Sequence, residues 1–367
     1  MKLGMFMMPM HPVGRDLTEI LDEDMQTVLH ADRVGFDEMW VGQHYACCSE
    51  PISSPLMFLA AAIPQTRSIK FGTGVINLPQ NHPAQVACDV ALFDHISRGR
   101  LLFGIGPGGL ISDFELFKVE DAPERLAMMH EAIDTILRIW SSDPPYEIHG
   151  KYWDVSVVRS VIPELGIGPM AKPFQKPHPP IVMSAMSPSS GSARTAAAHG
   201  WGLLSAPFIP RRTLANHWAA YRDSAAENGR RAHGDDWRVG RSIYVAESEA
   251  EARDHVFDPA RGVHYYYKYL LNLMTRAQMT QILSGDPAIP AESLSVESVL
   301  ENLVIYGTPA RVAEQLEALR DEVGPFGTIV MAQHDWCGTD RELRSMTLMA
   351  EQVIPKLAAA PARAAAE

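Results

Sequence analysis

Four serines crowd one short stretch of the chain: Ser187, Ser189, Ser190 and Ser192 within MSAMSPSSGSARTAAAHG, residues 183–200. The stretch reads as the end of a strand running into a helix start. Free amides and hydroxyls at such a turn can hold a terminal phosphate. An ordinary N-cap accounts for one serine, not for four. Arg194 either adds positive charge there or faces solvent. A second candidate is the glycine run GIGPGG, residues 104–109. A dinucleotide fingerprint needs a strand, a tight turn, a clean helix start and an acidic residue about 20 positions on. Pro107 removes an amide from that turn, and 110–117 does not open a helix cleanly. The run, Gly106 included, fits a tight turn at a strand exit, or backbone passing close to a flat ring where side chains would clash. His44 follows the apolar segment Met39–Val41. It is either a structural hydrogen-bonding group or a donor to a charged oxygen species near neutral pH.

What is missing also narrows the chemistry. No close Asp/Glu pair stands out for glycosidic work, and no H-E-x-x-H occurs. His11, His44 and His82 lie far apart and have few acidic partners at strand ends, so no metal site is expected. Cys47, Cys48, Cys88 and Cys337 form neither a disulfide scaffold nor a zinc knuckle. Of 367 residues, 46% are hydrophobic and 21% charged, a globular balance. With 32 Lys and Arg against 44 Asp and Glu the formal charge is -12, and no basic patch stands out for nucleic acid. The amino terminus lacks the features of a signal peptide, and no apolar run is long enough to span a membrane. A reducing, cytoplasmic setting is expected.

The elements that must position these residues alternate along the chain. Apolar runs near 3–8, 38–42, 69–73, 100–105, 181–185, 201–205, 240–246 and 328–332 read as eight strands, nearly all separated by helices. Alternation of this kind implies a parallel sheet, and eight units favour a closed (β/α)8 barrel over an open doubly wound sheet. In a barrel the site lies at the carboxyl ends of the strands. Those ends carry Met8 and Met10, then Gln43 and His44, then Thr73, Gly74, Gln80 and Asn81, then Gly104–Gly109, then Met186 and the serines. A pocket rich in Met, Gly and Ser and poor in carboxylates fits a planar cofactor that carries the chemistry. One domain is expected over 1–358, with lids at 141–180 and 264–298 and an alanine-rich tail at 359–367.

Taken together, KLGMFMMP, VGFDEMWVGQHY, IKFGTGVINLPQNHP, DHISRGRLLFGIGPG, IVMSAMSPSSGSARTAAAHG and IYGTPARVAEQL resemble, in order, the bacterial-luciferase-like flavin-dependent monooxygenases. The amino-terminal half is most similar to the limonene and diketocamphane monooxygenases within that family. The resemblance implies a (β/α)8 TIM barrel with insertions at its C-terminal face. It implies reduced FMN (FMNH2), supplied by a separate NAD(P)H:flavin reductase, and reaction with O2 through a C4a-(hydro)peroxyflavin to oxygenate a small apolar organic substrate. It assigns His44 to the active-site histidine that assists the peroxyflavin. Thr73 and Gly74 match the segment that bulges beneath the isoalloxazine. Met186, Ser187, Ser189 and Ser190 match the region holding the FMN phosphate, and Met8 belongs to the apolar wall. Helices outside such barrels often pair, so a homodimer or larger oligomer is expected. Where the luciferase itself has an arginine after strand four, this chain has Pro107. That departure leaves a deazaflavin (F420)-dependent dehydrogenase on the same barrel as the alternative.

Overall fold

The computed structural model describes residues 1–7, 10–189, 191–286, 288–334 and 339–359. Eight parallel strands make the ring: β1 Lys2–Met7, β2 Glu38–Val41, β3 Lys70–Thr73, β4 Leu101–Gly106, β5 Ile181–Ala185, β6 Gly202–Ser205, β7 Trp237–Val245 and β8 Thr328–Gln333. The strands follow one another in chain order, β8 pairs β1, and β6 pairs β7, so the sheet closes. This is the (β/α)8 barrel that the alternation predicted. All eight expected strands are present, with ends shifted by up to three residues at β7. Two further strands join the sheet, Ile76–Asn77 beside β4 and Val304–Gly307 beside β7. At two and four residues, both are too short to stand out in the sequence.

Contacts gather the chain into two compact units, Met1–Trp40 with Met183–Glu367, and Val41–Val182. In the first, β1 runs in register with β8 from Lys2↔Thr328 to Met7↔Gln333. Leu3, Met5, Met39, Val239, Ile329 and Met331 are sealed in its core. A charged group is buried with them. Arg238 donates through Nε and Nη2 to both carboxylate oxygens of Glu38, each at 2.8 Å. Trp40 Nε1 donates to Glu38 Oε2 at 2.9 Å. The fork geometry satisfies a pair that would otherwise be costly to bury.

Helix α1, Leu17–Val34, starts where Asp16 accepts the amides of Thr18 and Glu19 and stops at Gly35, whose φ is 92°. Its face buries Ile20, Val28 and Ala31, Leu17 is half exposed, and Asp24 is buried. The reason is His11, whose Nε2 lies 3.1 Å from Asp24 Oδ1.

In the second unit, Phe71, Leu101, Phe103 and Ile105 are fully buried, and Phe103 meets Trp140 edge to face. The segment 141–180 holds a small antiparallel hairpin, Tyr146–His149 with Asp154–Val157. A seven-residue helix, Ile111–Phe117, stands where no clean helix start was read. Leu110 gives it no side-chain cap, which is why its sequence lacks a start signal.

Candidate active site

His44 sits in the loop between β2 and the helix Pro55–Ala62, its amide donating to the Ile52 carbonyl at 3.0 Å. Its ring is held between two carboxylates. Nδ1 lies 3.2 Å from Asp113 Oδ2, and Nε2 lies 3.3 Å from Glu50 Oε2. The His44 side chain is 20% exposed, Glu50 6% and Asp113 1%. Asp113 comes from the first turn of the short helix Ile111–Phe117. Its other oxygen accepts the amides of Tyr45 at 3.0 Å and Ala46 at 2.7 Å.

These partners set the charges. Burial opposes ionisation of Asp113, but the bonds from His44, Ala46 and Tyr45 outweigh it and hold its carboxyl below the usual range. Burial would lower His44; the Asp113 bond and the Glu50 and Asp113 charges win and hold it above 6.5. Burial pushes the Glu50 carboxyl up, with Asp113 adding to the effect and His44 opposing it. Both shifts favour the protonated forms of His44 and Glu50. The carboxylates are remote from His44 in sequence, and only folding brings them to the ring. Asp113 and Glu50 were not singled out from the sequence.

β3 leads into a bulge. The β3–β4 ladder holds Phe71↔Leu101 and Gly72↔Leu102, and it resumes at Ile76↔Ile105 and Asn77↔Gly106. Three residues, Thr73 to Val75, thus oppose two, Phe103 and Gly104. Thr73 Oγ1 replaces the lost ladder bonds, donating to the Gly104 carbonyl at 2.7 Å and accepting its amide at 2.9 Å. The Gly74 amide donates to the Val41 carbonyl at 2.7 Å, and the Gly74–Val75 peptide bond is cis. Gly106 ends β4 opposite Asn77. Gly108 turns with φ 90°, where an added Cβ would stand 3.0 Å from Phe114 and 3.1 Å from Gln80.

Amides surround this bulge. Gln43 Nε2 donates to Tyr45 Oη and to the Ser53 carbonyl, and Gln43 Oε1 accepts from the Asn77 amide. Asn77 Nδ2 donates to the Gln43 carbonyl, and Asn81 exchanges bonds with Tyr45 and Asn77. Gln80 is the exception. It is 7% exposed, and neither Oε1 nor Nε2 has a hydrogen-bond partner.

The serine turn follows β5. Met186 is half-buried, whereas Ser187 and Ser189 are exposed. Ser187 Oγ lies 2.8 Å from Ser189 Oγ and accepts the Ser189 amide at 3.3 Å. The helix Gly191–His199 begins just beyond. The Ser187 carbonyl accepts from His217 Nε2 at 2.9 Å, His217 Nδ1 meets Ser205 Oγ at 2.9 Å, and Trp237 Nε1 donates to Ser205 Oγ at 2.9 Å. Burial pulls His217 down to about 4, the bond to Ser187 opposing. Arg194 pairs with Glu227 at 2.5 Å rather than with the turn. Met8 and Ser190, also expected at the site, lie outside the described residues.

A closed parallel barrel, a bulge after β3 and a histidine after β2 define the class. The model for the luciferase-like monooxygenases matches residues 1–324, and the chain belongs to that family. It is 33% identical to the limonene 1,2-monooxygenase of Rhodococcus erythropolis over 96% of this chain and 85% of that protein. The structure of the oxygenating constituent of 3,6-diketocamphane monooxygenase from Pseudomonas putida, a type II Baeyer-Villiger enzyme in complex with FMN, is similar with a TM-score of 0.86. Identity is 27%, over 97% of this chain and 98% of that one. The F420-dependent tetrahydromethanopterin reductase of Methanopyrus kandleri, at 20% identity and a TM-score of 0.70 over 97% of this chain and 99% of that one, shares the fold.

Proposed function

We propose that this monooxygenase is the oxygenase component of a two-component system, taking reduced FMN from a separate NAD(P)H:flavin reductase and oxygenating a small apolar organic substrate with O2. The observation that carries this reading is the near full-length likeness to an oxygenating constituent solved with FMN. The residues present fit the cofactor. Ser187 and Ser189 offer exposed hydroxyls ahead of a helix start, and with Ser190 they are the proposed phosphate ligands. Gln80 keeps an unpaired buried amide beside the glycine turn. Met8, Thr73, Gly74, Gly106 and Met186 are the proposed neighbours of the ring. Reduced FMN supplies the oxygen activation, through a C4a-(hydro)peroxyflavin. The chain's part is to bind the flavin, exclude water and manage a proton. His44 is the proposed catalytic residue, with Asp113 fixing its ring and Glu50 facing its Nε2. Segments 141–180 and 264–298 are the proposed lids of a single barrel domain over 1–358. The chain is proposed to work in the cytoplasm as a homodimer or larger assembly. Among the described residues no helix is long and apolar enough to cross a membrane.

The test is rapid mixing of the FMNH2-loaded protein with O2. A long-lived adduct absorbance is expected, and for His44→Ala a shortened lifetime with oxygen diverted to H2O2. An effect of about 10²-fold is ordinary for a lost acid–base contact. With NADH, FMN, O2 and substrate, turnover is expected only after a flavin reductase is added. Adduct decay as fast as free reduced flavin, or hydride transfer to or from F420, would overturn the reading.

A further inference from the structure

Gln80 ends the short turn Leu78–Gln80 that follows the β3 bulge. Its neighbours show that this part of the fold can satisfy amides. Gln43, Asn77 and Asn81 bond to one another and to backbone groups. Gln80 is as buried as they are, yet both ends of its carboxamide lack a partner. A buried polar group left unpaired is costly, and a leucine or methionine of similar size would avoid that cost. Gly108, at φ 90°, leaves the space against which the Gln80 nitrogen lies. A side chain at position 108 would press on that nitrogen, its Cβ standing 3.1 Å away.

A carboxamide presents one donor edge and one acceptor edge side by side. A ketone or an ester offers acceptors alone and would leave Oε1 unpaired. An alkene offers neither. An imide edge, C=O beside N–H beside C=O, pairs with both at once, as glutamine does with the donor–acceptor edge of a base. Its two carbonyls flank the N–H symmetrically, so either assignment of the Gln80 oxygen and nitrogen is satisfied.

We infer that Gln80 is the residue that reads the imide edge of the flavin pyrimidine, accepting from N3–H and donating to an adjacent carbonyl. This rests on the flavin reading above and names a ring contact that the serine turn cannot make. It makes Gln80 a binding residue for the ring rather than for the phosphate.

The test is anaerobic titration of the full chain with reduced FMN and with reduced N3-methyl-FMN, in which a methyl group replaces the N3 hydrogen. Wild type is expected to bind FMN at least about tenfold more tightly, the equivalent of roughly 1.4 kcal/mol. Gln80→Leu and the more nearly isosteric Gln80→Met are expected to bind the two alike, while keeping the wild-type preference for FMN over riboflavin. Raman spectra of bound oxidised FMN should show the pyrimidine carbonyl stretches rising in frequency in either variant. Failure of wild type to bind FMN would sink the flavin reading itself. FMN binding without discrimination against the N3-methyl form in wild type, or discrimination surviving in a folded variant, would overturn the Gln80 assignment and leave that reading standing.

Discussion

One carboxylate, Asp113, fixes both the ring and the backbone of His44's loop: Oδ2 lies 3.2 Å from His44 Nδ1 while Oδ1 takes the next two amides, Tyr45 and Ala46. An ionised Asp113 only accepts, so His44 Nδ1 carries a hydrogen and Nε2 is left to face Glu50. Asp113→Asn keeps the size but removes the charge that supports the imidazolium. The His44 pKa should fall, moving the corresponding limb of the kcat/KM pH profile to lower pH. Product yield per flavin oxidised should drop with it. An unmoved limb in a folded Asp113→Asn protein would detach His44 from the profile.

The same charges bear on stability. His44 is raised in the folded chain, so its contribution is full below 6.5 and fades as pH climbs through the higher folded value. Glu50, also raised, acts in the same direction from 4.5 upward. Asp113 is lowered, so its contribution is present above 3.8 and disappears as pH falls through the folded value. Urea denaturation of wild type and Asp113→Asn across pH should therefore show a gap that is open near neutrality and closes in acid. A gap that widens in acid contradicts this assignment.

Thr73→Val should destabilise the bulge, because the Gly104 carbonyl and amide both lose their partner. An orphaned buried group costs about 1–3 kcal/mol. Thr73→Ser retains the hydroxyl and should recover most of the loss. Chemical denaturation of both variants decides the point, and equal losses would show that keeping the hydroxyl rescues nothing and would overturn the role given to Oγ1.

Ser189→Ala should weaken FMNH2 binding more than reduced riboflavin binding, since a lost charge-assisted bond is worth roughly 1.5–3 kcal/mol. His217→Leu reaches the same turn from behind by releasing the Ser187 carbonyl. It should share that phosphate-specific loss, whereas His217→Gln, which can still donate, should largely be spared. Parallel losses for FMN and riboflavin would remove the turn from phosphate binding.

Glu38→Ala strands a buried guanidinium and frees the Trp40 indole. Breaking such a pair from one side costs about 3–5 kcal/mol. Equilibrium unfolding should register a loss of that size, with FMNH2 affinity of the folded fraction unchanged. A loss below 1 kcal/mol would mean that water reaches Arg238.

The ring of strands was legible because the strands are compact apolar runs, nearly all separated by helical segments. Val304–Gly307 was not, since its four residues depend on pairing with β7 rather than on their own pattern. The serine turn and His44 stand beside strand ends and could be picked out by position. Asp113 and Glu50 could not. They lie in an uncapped helix and in an irregular loop, and their meaning depends on a ring 69 residues from Asp113. Gln80 was read as one polar residue among several at a strand end. What separates it from Asn77 and Asn81 is an absence of partners, a property of packing rather than of residue type.

The strand β7 has one consequence for how such enzymes diverge. Its first half belongs to the ring, paired with β6 and β8. Its last four residues run in register with Val304–Gly307, from Ser242↔Val304 to Val245↔Gly307. The chain between therefore leaves β7 and returns to β7, and its ends are clamped by a ladder outside the closed ring. Loop-closure cost grows slowly with length, so this excursion can lengthen, shorten or be exchanged between relatives as a cassette. Any transplant must bring its ties with it, among them Tyr267 to Ser242 and His255 to Glu342. A barrel built this way can change this excursion while leaving its ring intact.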